Sequence, residues 1–302
     1  MTKKVFVTGA TGFIGRHALA PLIERGFEVH AAYHKGSFEA KNVQWHHADL
    51  LRDEAAQRLC RTIQPTHLLH FAWYAVPGKY WTSEENEKWV IATDNLLRAF
   101  AASAGTRAVL AGTCAEYDWK NLAELVSEPA PIAPATLYGA CKHRAHERAE
   151  SFAKDTGVSL AWGRIFFLYG PHEPRERLVA SVINSLLEEN EANTSSGEQV
   201  RDFLHVQDVA SAFAALLDSD VQGAVNIASG NPVQLKDIVR EIADIVGKPQ
   251  LVRLGALPSR PNEPPRLVAD TKRLANEVGW RPRYSLREGL EKTIEWWEAR
   301  RN

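Results

Sequence analysis

Thr8-Gly9-Ala10-Thr11-Gly12-Phe13-Ile14-Gly15 follows the apolar run Val5-Phe6-Val7 and leads straight into Arg16-His17-Ala18, where apolar residues begin to recur at helical spacing. A strand, then glycines at G-x-x-G-x-x-G spacing, then a helix start make a turn in which each glycine has its own task. One permits the tight strand-to-helix reversal, one lets backbone N–H groups approach a pyrophosphate, and one lets the helix lie close on the sheet. The positive end of the helix dipole then faces the anion. A purely structural glycine turn is the alternative, and the strand before and helix after favour the dinucleotide reading. Gly9, Thr11, Gly12, Phe13, Ile14 and Gly15 are therefore the candidate residues around a dinucleotide.

Outward from this turn, β-branched or aliphatic runs at Phe27 to Ala32, His67 to Phe71, Ala108 to Ala111 and Ser159 to Arg164, with a short strand at Gln44 to His47, alternate with helical patterns. The helical stretches are Gly15 to Glu24, Asp53 to Arg61, Glu84 to Ala102 and Tyr138 to Lys154. Such alternation predicts an α/β fold, a Rossmann doubly wound parallel sheet. After Tyr169-Gly170-Pro171 the chain becomes polar and turn-rich, with two further helices expected at Leu235 to Val246 and Ser285 to Arg300. The expected division is a dinucleotide-binding domain over 1–166 and a smaller C-terminal α/β substrate-binding part over 167–302, with the chain crossing back to the sheet near 203–228.

A formal net charge of -1 gives no electrostatic reason to expect nucleic acid or an anionic membrane as partner. Cys60, Cys114 and Cys141 are odd in number and lack CxxC spacing, which argues against a disulfide framework or a zinc site and favours a reducing compartment, the cytoplasm by default. No apolar run is long enough for a signal or membrane segment.

The choice of cofactor turns on the end of the second strand, where a carboxylate would bond the 2'-hydroxyl of NAD and repel the extra phosphate of NADP. Here the strand ends in Tyr33-His34-Lys35. With Arg16 just past the last glycine, His34 and Lys35 could surround a 2'-phosphate, so NADP is expected and NAD is possible; solvated surface cations are the alternative. Asp49 sits where a carboxylate could accept from the adenine amino group or simply cap the next helix.

Tyr138-Gly139-Ala140-Cys141-Lys142 puts a phenol and an ammonium four residues apart, on one helix face, and Thr113 lies at the end of an apolar strand where its hydroxyl can face the same cleft. On these motifs the chain resembles the extended short-chain dehydrogenase/reductase family, the NAD-dependent epimerase/dehydratase group, nearly end to end. The resemblance implies that Tyr138 gives or takes a proton at a carbonyl or alcohol. Lys142 would bind the nicotinamide ribose and lower the phenol's pKa, and Thr113 would bond the reacting oxygen. A phenol with an ordinary pKa of about 10 needs roughly 4 kcal/mol of electrostatic help to act as a base at neutral pH. The same resemblance places Leu50, Phe71 and Ala72 beside the cofactor.

Further along, Arg164 to Pro171 resembles the strand and turn leading into the family's substrate region. Arg201-Asp202-Phe203-Leu204-His205 and Arg260-Pro261 resemble its diphosphate-facing arginines. Guanidinium groups bind phosphate oxygens bidentately, so Arg201 and Arg260 imply a nucleotide-linked sugar, unless they pair with Asp202 or Glu263 instead. Phe167 and Trp89 stand where relatives often carry asparagine. Relatives that eliminate water carry Asp-Glu directly after the threonine, whereas here Cys114 and Ala115 follow Thr113 and Glu116 is one place out of register. A dehydratase is therefore not expected. The expected activity is an NADPH-dependent keto-sugar reductase. Alternatives are a nucleotide-sugar 4-epimerase with retained NAD, a small-ketone reductase and a non-catalytic NADP-binding regulator. The aromatic group Trp73, Tyr74, Tyr80, Trp81 and Trp89 could wall a sugar pocket or serve as ordinary packing. By resemblance, the helices at Glu84 and Tyr138 would build the seam of a homodimer.

Overall fold

The computed structural model describes residues 3–36, 40–52, 54–259 and 263–301. The first half runs β1 (Lys4–Thr8), α1 (Gly15–Glu24), β2 (Glu28–Tyr33), β3 (Val43–His47), α2 (Ala55–Ile63), β4 (His67–His70), α3 (Glu85–Ala102), β5 (Arg107–Thr113), α4 (Leu137–Thr156) and β6 (Ser159–Ile165). There follow β7 (Phe167–Tyr169), α5 (Leu178–Leu187), β8 (Ala192–Asn193), β9 (Val200–His205), α6 (Val206–Leu217), β10 (Gly223–Ile227), β11 (Pro232–Gln234) and α7 (Leu235–Val246). The chain closes with β12 (Val252–Arg253), β13 (Arg266–Leu267), α8 (Lys272–Asn276) and α9 (Leu286–Glu298).

Seven strands form one sheet in the order β10-β6-β5-β4-β1-β2-β3, and every neighbouring pair in it is parallel. This is the doubly wound Rossmann arrangement. Strands β1 and β5 are almost wholly buried because helices cover both faces of a parallel sheet, which is why they read as continuous apolar runs. Val5, Val7, Val29 and Ala31 face α1 and α6, while Phe6, Leu68, Leu110 and Trp162 face α2, α3 and α4. The strand order reverses between β1 and β4, so the crevice for a ligand opens at their carboxyl ends, where the glycine turn lies. No helix among the described residues is long and apolar enough to cross a membrane.

Residues beyond 166 supply β10 and α6 to this sheet layer and, separately, a core in which α5, α7 and α9 pack around Ile183, Ile242 and Leu290. The expectation of two helices after Tyr169 needs correction, since α5, α6 and α8 are also present. Both α5 and α6 are buried on most of their circumference, as their sequences LVASVINSLL and VQDVASAFAALL allow, so no polar face marks a 3.6-residue period.

The turn after β7 joins the C-terminal part to the glycine turn. His17 donates to the Pro171 carbonyl at 3.1 Å, Arg16 bonds His172, and the Arg177 guanidinium lies 5.9 Å from the Phe13 ring centroid. Glu173 is buried in this turn with Arg177 3.8 Å away and no hydrogen-bond partner for Oε2 among the described residues. Burial pushes its carboxyl up to about 8. The folded pKa lies above the unfolded one, so the native state holds a proton that the unfolded chain has already lost. Stability should therefore fall by up to about 1.4 kcal/mol per pH unit between roughly pH 4.5 and 8. Glu173→Gln should remove this slope: urea midpoints of the two proteins should agree near pH 4 and diverge in favour of the variant near pH 8.

Candidate active site

Gly9 has φ +67°, and a Cβ there would sit 2.6 Å from the Ala72 nitrogen and 2.7 Å from the Phe71 carbonyl carbon. A Cβ on Gly15 would sit 2.2 Å from the Gly9 oxygen and 2.8 Å from the Ala10 Cα. Both glycines are thus required by backbone packing of the turn against β4 and α1. Gly12 differs, since its Cβ would meet only the Gly9 oxygen, at 3.1 Å. The space above Gly12 is open, and no side chain caps the N-terminus of α1. A pyrophosphate fits this cradle, because helix N-termini leave backbone donors for an anion.

Beneath the turn, the Thr8 hydroxyl bonds His70 Nδ1 at 2.7 Å and the Ala72 N–H donates to the same oxygen at 3.3 Å. Thr93 donates its hydroxyl to the Trp89 carbonyl, so it accepts from His70 Nε2 at 3.1 Å. This assigns the Nε2–H tautomer to His70, whose burial pushes its pKa down to about 3. A neutral hydrogen-bonded chain therefore fixes Phe71 and Ala72 beside the cradle.

At the end of β2, Tyr33 and His34 pack against β3, with the His34 and His47 rings 6.4 Å apart and nearly parallel. Lys35 is exposed, and residues 33–36 carry no carboxylate. Asp49 accepts from the Leu51 N–H at 3.1 Å and lies 3.6 Å from Arg52, so it shapes the turn ahead of α2, and Leu50 packs against the sheet core. Arg16 does not turn toward His34 and Lys35. It donates to the Thr11 and Gly12 carbonyls and bonds His172, bracing the glycine turn.

Thr113 ends β5 and Tyr138 opens α4, which Thr136 caps through the Gly139 N–H at 3.1 Å. The Thr113 side chain lies beside the Tyr138 phenol and favours its ionised form. Tyr80 and Trp81 pack edge-on against the Tyr138 ring at 4.9 and 5.7 Å, and Trp119 lies 6.3 Å from Trp81. One turn along α4, the buried Lys142 donates to the Ala111 carbonyl at 2.8 Å, with Nζ 3.8 Å from the Trp73 ring centroid. Burial pushes this ammonium down to about 7. The same desolvation, then the neighbouring Tyr80, raises the Tyr138 phenol. The expectation that Lys142 lowers the phenol's pKa does not hold in this arrangement. The ammonium is turned to Ala111 and Trp73, and burial outweighs the opposing effect of Thr113.

Glu116, fully buried, accepts from the Thr113 N–H at 2.8 Å, Trp162 Nε1 at 2.9 Å and Arg164 Nε at 3.1 Å. It is a brace under Thr113 and is not free to swing into the cleft. His143 and His146 bring ring nitrogens near it, all within 4.8 Å, but Arg164 already neutralises the carboxylate, so a divalent cation there would meet no net negative charge. Glu116→Gln presents an N–H₂ group to donors and strands Arg164. Its expected cost is about 3 kcal/mol of stability, read as a lower urea midpoint with the m-value unchanged.

Arg201 is buried on β9, bonded to the Val200 carbonyl at 3.0 Å and to Glu263 at 3.2 Å, with its guanidinium carbon 5.3 Å from the Phe167 ring centroid. The alternative pairing with Glu263 is thus present, while Asp202 is occupied elsewhere by Ser229, Gly230 and Ala269. Arg260 lies outside the described residues. Two features of the site have no counterpart in the sequence reading: the contact of Trp73 with Lys142, and Asn86. Trp73 donates to Asn86 at 2.7 Å, and Asn86 in turn bonds the Tyr80 and Ser83 carbonyls, holding the aromatic loop over α4. The Trp73–Lys142 contact has no local signal, because the two residues lie far apart along the chain.

Residues 5–228 match the model of the NAD dependent epimerase/dehydratase family. UDP-glucuronic acid decarboxylase 1 of Xenopus tropicalis is 28% identical over 308 residues, 97% of this chain and 71% of that protein. The crystal structure of the Thermus thermophilus UDP-glucose 4-epimerase complex with NAD superposes with a TM-score of 0.86 at 26% identity, covering 98% of this chain and 99% of that one. The UDP-glucose 4-epimerase of Thermotoga maritima, with UDP-glucose, shares the fold at a TM-score of 0.89 and 22% identity, over 99% and 100% of the two chains.

Proposed function

Since the chain belongs to the NAD dependent epimerase/dehydratase family, whose matched relatives are enzymes acting on nucleotide sugars, we propose that it is an NADPH-dependent reductase of a keto group on a nucleotide-linked sugar. The observation that carries this reading is the placement of Tyr138 at the start of α4, beside Thr113 at the end of β5 and one helical turn from the buried Lys142, with burial holding the phenol in its neutral form. A neutral phenol is the form that delivers a proton.

Bound over the glycine turn, the dinucleotide would supply the hydride. Tyr138 then gives its phenolic proton to the substrate carbonyl oxygen as negative charge develops there, and Thr113 donates a hydrogen bond to the same oxygen. Lys142 keeps two ammonium protons beyond the one on Ala111, enough to orient a ribose hydroxyl. Elimination of water lacks its acid and base: the Cys114 thiol is pushed up to about 12 by burial, Ala115 has no titratable group, and Glu116 is held by Arg164 and Trp162. The Tyr80 and Trp81 rings offer apolar edges to a sugar face. Tyr33, His34 and Lys35 in place of a carboxylate support NADP over NAD. Arg201 supports a diphosphate-linked substrate, with Glu263 as its partner before binding.

The second reading is a 4-epimerase with retained NAD, favoured by the 26% identical epimerase that binds NAD. NADPH deuterated at C4, supplied with a panel of nucleoside-diphosphate 4-keto sugars, separates the two. Deuterium in the product sugar supports the reductase. Copurified NAD with interconversion of two sugars and no net consumption of NADPH supports the epimerase. A homodimer is supported by exposed Ile91 on α3 and by the groove between α3 and α4 lined by Leu97, Arg98, Arg148 and Phe152. The buried free thiols Cys60, Cys114 and Cys141 support a cytoplasmic location.

A further inference from the structure

We propose that Trp73 is a positioning residue for the reaction, its indole face holding the Lys142 ammonium in place and in its charged form. The inference rests on the reading of Tyr138 and Lys142 as the working pair.

Lys142 Nζ lies 3.8 Å from the Trp73 ring centroid, well inside the range over which an aromatic quadrupole attracts a cation. The ring is fixed from two sides. Its Nε1 donates to Asn86 Oδ1 at 2.7 Å, and the ring stacks against Trp89, with centroids 6.4 Å apart at 29°. An aliphatic side chain at this place would contact the ammonium without favouring its charged state. The ammonium needs such help. It is buried, and of the protein's hydrogen-bond acceptors the Ala111 carbonyl holds it, at 2.8 Å.

The other groups that face it decide little on their own. From β4, His70 is neutral; from the turn after β5, Glu116 attracts the ammonium but is itself paired to Arg164; from its own helix, Tyr138 is a neutral phenol. From β6, the Trp162 ring stands farther off, at 6.0 Å. Burial leaves Lys142 close to half-protonated near neutral pH, so a modest stabiliser of the cation sets its charge.

The test is a pH titration of the Lys142 signal by NMR in full-length protein labelled with ¹³Cε-lysine, assigned by its absence in Lys142→Met. Trp73→Leu, which keeps an apolar side chain and removes the quadrupole, should lower the Lys142 pKa by about one unit, and Trp73→Phe, which keeps an aromatic face, by less than half of that. Equal shifts in the two variants, or none in Trp73→Leu, would overturn the inference, because a role in packing alone does not distinguish leucine from phenylalanine by charge. If Trp73→Leu does not fold, Trp73→Met takes its place with the same expected shift. Turnover of Tyr138→Phe reports on the underlying reading separately. An unshifted Lys142 titration in Trp73→Leu with an inactive Tyr138→Phe removes only this inference, whereas an active Tyr138→Phe removes the reading beneath it.

Discussion

Tyr138→Phe should lower kcat by roughly 10³-fold while leaving the dinucleotide dissociation constant within about twofold of wild type. The substitution removes one oxygen and nothing else. The ring keeps its edge contacts with Tyr80 and Trp81, Thr136 still caps α4, and the glycine turn is untouched. What is lost is the proton donor, and no neighbour replaces it. The Thr113 hydroxyl is far too weak an acid, the Cys114 thiol is pushed up to about 12, and Lys142 is turned to the Ala111 carbonyl. Steady-state turnover together with calorimetric titration of the cofactor checks both halves. Retained turnover would remove Tyr138 from the chemistry, and lost cofactor binding would make it a structural residue of the cleft.

The two glycines that end the turn should differ in what the same added methyl group costs. Gly15→Ala places a Cβ 2.2 Å from the Gly9 carbonyl oxygen and 2.8 Å from the Ala10 Cα, both backbone atoms that cannot move without opening the turn. A loss of about 3 kcal/mol or more in stability, with dinucleotide binding abolished, is expected. Gly12→Ala meets only the Gly9 oxygen, at 3.1 Å, and faces open space otherwise. It should cost the free protein much less stability than Gly15→Ala, on the order of 1 kcal/mol, since the Gly9 oxygen has to give by only a few tenths of an ångström. It should still weaken dinucleotide binding by on the order of 10- to 100-fold, because the methyl occupies the approach of the pyrophosphate. Equal destabilisation by both variants would mean that the turn is built only for packing.

The parts of this protein that are legible in the sequence are those whose signal is local. The glycine turn announces itself because strand, glycines and helix are contiguous from Val5 to Ala18, and the parallel strands of the sheet are short apolar runs with turn residues between them. Tyr138 and Lys142 are legible because one helical turn joins them. The helices α5 and α6 escape a sequence reading because burial on most sides erases the polar stripe on which it depends. Glu116 is visible as a carboxylate out of register. Its fixed position is not, since Trp162 and Arg164, which hold it, come from β6, a different strand. Trp73 reads as one wall of a sugar pocket or as ordinary packing, and its plane lies against Lys142, a juxtaposition that only the packing of the loop after β4 on α4 creates. Arg16 reads as a cation for a 2'-phosphate or for solvent, and its bonds to the Thr11 and Gly12 carbonyls, which brace the turn, are a choice of partners that spacing does not resolve.

The central claim is that a dinucleotide over Gly12 and a nucleoside diphosphate near Arg201 meet at Tyr138. Calorimetry tests it most directly: NADPH and NADH are titrated separately into the purified protein, and UDP, dTDP, GDP and CDP are then titrated into the complex. NADPH should bind more tightly than NADH, and at least one nucleoside diphosphate should bind the complex, with that binding lost in Arg201→Ala. Absence of diphosphate binding in the presence of either cofactor would contradict it.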